Sequence, residues 1–145
     1  MKKIILILMF LFGFCVFVFS QSEYRYTVKI NNEKLYLAHV AVFEDFYGNR
    51  SKFRRVDGIN IKNKTNFEME VKISYSVEVW DNNTDKVLRS GKKDGEIIIL
   101  KPQEDKFIQP LVEYRLEYRL NHYFFIRDLE LIHFKVNEKN YEIPW

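Results

Sequence analysis

Residues 67 to 79 read FEMEVKISYSVEV, and no other stretch of this chain limits its folding as strongly. Phe67, Met69, Val71, Ile73, Tyr75, Val77 and Val79 alternate with Glu68, Glu70, Lys72, Ser74, Ser76 and Glu78 without a break. A strand sends successive side chains to opposite faces, so this period of two predicts one long strand with an apolar face and a wet face. A helix would scatter the same apolar residues around its circumference. Burying such a face contributes on the order of 10–20 kcal/mol gross, before chain entropy removes most of it.

The rest of the chain keeps the same habit in shorter pieces. YRYTVKI (24–30) alternates, NNEK turns, and LYLAHVAVF (35–43) is apolar on both faces, as a central strand would be. DGINIKN (57–63) reads as a turn and then a strand, and LVEYRLEYRLNH (111–122) as a second long alternation. Val87-Leu88, the turn SGKKDG, the non-alternating run EIIIL, the turn KPQED and Phe107-Ile108 follow the long strand. The C-terminal region offers LELIHFKV, the turn NEKN and YEIPW. FYGNR marks a loop. Many short strands joined by Gly, Asn, Asp and Pro turns predict an all-β chain, a single antiparallel β-sandwich.

The first twenty residues set two lysines before a long apolar run that ends Val18-Phe19-Ser20. This is the pattern of a secretory signal peptide, and it predicts residues 1–20 as leader and 21–145 as one domain. Left uncleaved, the same segment would serve as the chain's membrane attachment. Removal of Lys2 and Lys3 takes the formal charge from +3 to +1, so no basic excess argues for nucleic acid. Cys15 is the one cysteine. The exported part therefore has no disulfide, thiol nucleophile or cysteine metal site, although its compartment would permit disulfides.

From Val56 to Gln109 the order of features resembles the immunoglobulin-like domains of the FxLYD type found in bacterial secreted and envelope proteins. The residues that carry it are VDGINIKNKT, VKISYSVEVWD, KVLRSG and IIILKPQEDKFI. They supply a turn glycine at Gly58, a strand ending in Asn63, a long strand closing on Trp80-Asp81, a short Val-Leu strand and a proline turn. VEVWD stands where FxLYD would, with Val79 for Leu and Trp80 for Tyr. The resemblance implies an immunoglobulin-like sandwich and a binding or assembly role.

Candidate chemistry is sparse. In DNNTDK, Asp81, Asn83 and Asp85 occupy the first, third and fifth places of a calcium loop, but Lys86 and Lys92 stand where such a loop needs Gly and Glu. Asn and Asp also turn the chain by bonding their own backbone, which accounts for the composition. His39, His122 and His133 lack the spacing of a metal pair, and His39 reads as a bonded core or edge residue. No nucleophile elbow or phosphate loop is present, so neither catalysis nor a cofactor is expected. The sequons at Asn49, Asn63 and Asn82 are read as chance in a Lys, Asn and Ile-rich bacterial composition.

Two features suit partner contact instead. NRSKFRR places Arg50, Lys52, Arg54 and Arg55 close together, with Glu44, Asp45 and Asp57 nearby in sequence. Trp80 falls in register with the charged residues of its strand, so it either packs at the strand end or faces a partner. The tyrosines mostly fall on apolar sides and are expected at the core or its margin. Together these features predict a non-catalytic periplasmic or extracellular domain that binds or scaffolds a protein or envelope component. The alternative is a small outer-membrane β-barrel, with the apolar alternations facing lipid and Trp145 closing the last strand.

Overall fold

The computed structural model describes residues 22–45, 53–110 and 122–141, and the regular elements among them are β-strands. In chain order these are β1 (Ser22–Asn31), β2 (Leu35–Asp45), β3 (Phe53–Asn63), β4 (Met69–Asp81), β5 (Lys86–Leu100), β6 (Asp105–Ile108), β7 (His122–Val136) and β8 (Lys139–Tyr141). The leader and the alternation expected over 111–121 lie outside the described residues, as does the FYGNR loop. The chain is all-β, and its strands form one sheet in the order β1-β2-β3-β7-β4-β5, with β6 added to β3 and β8 to β7.

The sheet is mixed, which corrects the purely antiparallel expectation. β3 and β7 run parallel and share a single bridge, Val56 opposite Phe124. Beyond it the strands part. β3 goes on to pair with β6 through Ile59 to Lys62, and β7 with β8 through Phe134 to Val136. Buried residues of β2, β3, β4, β5 and β7 nonetheless meet in one cluster.

β4 supplies the centre of that cluster as its alternation demands. Met69, Val71, Ile73 and Val79 are fully buried, and Tyr75 and Val77 nearly so. The apolar side of this strand therefore faces packed protein, the reverse of what a lipid-facing barrel strand requires. Phe67, expected on the same face, precedes the strand and is 54% exposed. On β7 the buried set runs Phe124, Ile126, then Leu129, Leu131, then Phe134, Val136. Each change of parity falls at an irregularity in the β4–β7 register, between Ser74 and Ser76 and between Lys72 and Ile73. A bulge consumes one residue and returns the next apolar side chain to the core.

The three described glycines expected in turns, Gly58, Gly91 and Gly95, lie inside strands. Gly58 sits in β3, where a Cβ would come within 2.6 Å of the Phe107 ring on β6, so the position is kept bare by close packing. SGKKDG is part of the fifteen-residue β5, and its expected turn is a bulge: Ile73 faces Glu96 while Tyr75 faces Lys93. Gly95 takes the positive φ, 71°, that this bulge requires. EIIIL does alternate in burial, with Ile98 and Leu100 inside and Ile97 and Ile99 outside. The β7–β8 turn has Asn137 and Glu138 at φ 47° and 64°, the left-handed pair that a two-residue hairpin needs.

Candidate functional site

Cross-strand register brings the largest side chains of the wet surface into one row. Glu23 on β1 lies opposite Phe43 on β2, and Phe43 opposite Arg55 on β3. The Val56–Phe124 bridge then sets Arg55 beside Tyr123 and Phe125, the neighbours of Phe124 on β7. On β4, Glu78 lies opposite Phe125 and Trp80 opposite Tyr123. Residues from five strands thus converge because alternation on each strand sends them to the same side.

The contacts interleave rings with guanidinium groups. Arg55 Cζ lies 4.5 Å from the Phe125 ring centre and 5.6 Å from that of Phe43. Arg25 covers Phe43 at 4.8 Å, and Arg127 covers Phe125 at 4.9 Å. Trp80 and Tyr123 each meet Phe125 edge-on, with centroids 5.9 and 6.3 Å away. Between Glu23, Arg25, Phe43, Arg55, Tyr123 and Phe125 opens a cleft of about 390 Å³. A second hollow of about 270 Å³ shares Tyr123 and Phe125 with it and is closed on the far side by Trp80 and the turn residues Asp81 and Asp85.

Beneath the cleft lies a buried carboxylate. Asp57 is 1% exposed and accepts four hydrogen bonds. Its Oδ1 takes Arg55 Nε at 2.7 Å, and its Oδ2 takes Arg55 Nη2 at 3.1 Å, His39 Nε2 at 2.8 Å and the Ile126 backbone N–H at 2.9 Å. The last bond explains the position. β3 and β7 separate after the Val56–Phe124 bridge, and the side-chain carboxylate takes the amide of β7 where the strands part. Burial by itself raises the Asp57 pKa, but the bonds from His39, Arg55 and Ile126, with the charge of Arg55, outweigh it and hold the carboxyl below its ordinary value of 3.8.

The residues singled out in the sequence fare differently. Arg50 and Lys52 lie outside the described residues, and Arg54 is placed by its backbone alone, opposite Glu44 on β2. Arg55 is committed to Asp57 and two rings, so it forms a cleft wall and not part of a free basic patch. Trp80 is half-buried near the end of its strand and borders the second hollow, with Nε1 donating to Glu78 Oε2 at 2.9 Å. DNNTDK forms the β4–β5 turn, closed by Asn83 N donating to Asp81 Oδ1 at 2.9 Å. His39 is a bonded residue at the core margin, as read. Tyr75 is buried, but Tyr24 and Tyr26 are 53% and 55% exposed, against the core expectation.

Asp57, Phe43, Tyr123, Phe125, Arg25 and Arg127 were not singled out. For three of them a signal existed. YFFIR (123–127) alternates about Phe124 and Ile126, which sends Tyr123, Phe125 and Arg127 to one side together.

Each guanidinium of the site has a carboxylate partner: Arg25 pairs with Glu23 at 2.8 Å, Arg55 with Asp57, and Arg127 with Glu78 at 3.4 Å. The surface therefore offers ring edges, guanidinium planes and a shaped hollow. Among the described residues no three His, Asp or Glu side chains gather as metal ligands would. Compared with family models, curated proteins and solved structures, the chain matches none.

Proposed function

We propose that this chain is an exported, non-catalytic binding domain that grips a protein partner of the cell envelope through the aromatic and arginine cleft. One observation carries the reading: Phe43, Tyr123, Phe125 and Trp80, drawn from three strands, share one surface with three stacked guanidinium groups. Arg, Trp and Tyr are enriched among the residues that carry binding energy at protein interfaces, and Trp and Tyr bury much area for little lost side-chain freedom. Rings already held by arginines lose less entropy on binding than free ones. The reading includes a β-sandwich of immunoglobulin-like kind, as the FxLYD resemblance implies. Support for it comes from the way the two halves of the divided sheet share a core. The leader carries the expectation of export.

A photoreactive residue at Tyr123 tests the reading in intact cells, with Ile97 on β5, 57% exposed, as the comparison position. The expected result is a discrete adduct at Tyr123 that Arg25→Ala with Trp80→Ala abolishes in a chain that a melting curve shows to be still folded. Equal labelling from Ile97, or an adduct indifferent to the substitutions, would count against the cleft. Osmotic shock tests the compartment: the domain should leave with the soluble fraction, whereas retention in outer membranes until detergent is added would favour the barrel.

A further inference from the structure

β1 stands at one end of the sheet, and among the described residues it pairs only with β2. Every residue from Ser22 to Lys29 is exposed, including Tyr24 (53%), Tyr26 (55%) and Val28 (51%), which share one face. That face continues an apolar row, because Tyr24, Tyr26 and Val28 lie opposite Val42, Val40 and Ala38 on β2. An open strand edge of this length is a template for another strand. The side chains of SEYRYTVKI narrow the choice of that strand.

We infer that the free edge of β1 pairs with the same edge of a second copy, antiparallel about a twofold axis through Tyr26. In this register Tyr26 meets Tyr26, Tyr24 meets Val28, Arg25 meets Thr27, and Glu23 meets Lys29 twice over, once on each side of the axis. Every apolar residue of the row then has an apolar partner, and the outer charges attract. Neighbouring registers do worse. Centring on Arg25 sets two arginines opposite each other, and centring on Thr27 sets Arg25 opposite Lys29; like charges directly opposite across a ladder are destabilising. Centring on Val28 straddles the irregularity between Val28 and Ile30. Centring on Tyr24 also matches Glu23 with Arg25 but aligns only Ser22 to Tyr26 of the strand. A parallel pairing in register sets Glu23 against Glu23. The charges of this edge thus exclude most pairings and leave one, consistent with a reversible dimer and not with open-ended aggregation.

The edge shares Glu23 and Arg25 with the cleft, whereas Tyr26 and Lys29 lie outside it, so Lys29→Glu and Tyr26→Cys read the dimer separately from the cleft. Sedimentation equilibrium on protein expressed from the full sequence, with Cys15→Ser, should show a reversible monomer–dimer equilibrium. Lys29→Glu or Glu23→Lys alone should weaken it about tenfold, by turning two attractive cross-strand pairs into repulsive ones. The combined exchange, E23K with K29E, should return the wild-type dissociation constant. In the same background Tyr26→Cys should form a disulfide-linked dimer on mild oxidation, whereas Tyr24→Cys should not. The substituted side chains of β1 are exposed, and a circular-dichroism melt of each variant confirms that it is folded. A monomer up to millimolar concentration, a dimer indifferent to the charge exchange, or equal crosslinking from Tyr24→Cys overturns the proposal. So does a β1 edge that in cells crosslinks only to a different protein.

Discussion

Replacing Asp57 with asparagine tests the physical core of the site, because it preserves shape and removes only the charge and half of the accepting capacity. The carboxylate accepts on both oxygens, one bond on Oδ1 and three on Oδ2. Asparagine has one accepting oxygen. If that oxygen takes the Oδ2 place, the amide NH₂ faces Arg55 Nε, donor against donor; if it is turned, the NH₂ faces His39 and the Ile126 amide. Arg55 meanwhile keeps its charge beside a group that no longer balances it. Removing one partner of a buried pair costs about 3–5 kcal/mol, and the loss should appear as a lower denaturation midpoint with an unchanged slope. A pH series adds a second signature. Asp57 is held below its ordinary value of 3.8 in the folded chain, so its stabilising effect is fully present above that value. It is lost as pH falls from there through the folded pKa. The stability gap between wild type and Asp57→Asn should therefore narrow progressively in acid as pH falls below the ordinary value; carboxylates remote from the site titrate in both proteins and cancel. A variant within about 0.5 kcal/mol of wild type, or a gap that does not change in acid, would refute the account of the node.

Three further outcomes follow from the packing. Gly58→Ala should destabilise by about 1–3 kcal/mol by pushing the Phe107 ring aside, and the penalty should shrink in a Phe107→Ala background, as a double-mutant cycle would measure. Ile98→Ala should cost about 2–5 kcal/mol, and Ile97→Ala, one residue earlier but 57% exposed, about 0.5 kcal/mol or less by the same denaturant titration. Glu138→Gly should raise stability by about 1 kcal/mol, since the residue sits at φ 64° in the β7–β8 turn, where a side chain is strained; a thermal melt will show it.

What the chain reveals on reading depends on whether its elements keep a uniform period. β4 does, and its six buried apolar residues could be named from alternation alone. β7 does not, because two bulges shift the parity of its core face; the one regular piece at its start, YFFIR, is too short to stand out without the β4 register to align against. Gly58 and Gly95 were misread for a related reason. Glycine is taken as punctuation, whereas one serves close approach of a ring and the other a bulge within a strand. The node was least legible of all. His39 and Ile126 reach Asp57 from 18 and 69 positions away, through a single parallel bridge that no local pattern announces.

Arg55 links that node to the surface, and the shape of its side chain explains how. A guanidinium is planar, with donors along its edge and a face free to stack. Its edge is spent on Asp57, and its plane lies against Phe125 at 4.5 Å and toward Phe43 at 5.6 Å. The rings that line the cleft are therefore positioned by a residue that is itself anchored to a buried charge. Lysine could keep the charge but not both contacts, since an ammonium has no plane to stack. An arrangement of this kind concentrates rigidity where two strands diverge, the place where a sheet would otherwise be most free to open. The same interaction that satisfies the broken ladder thus fixes the walls of the cleft, and a partner would meet them already in place.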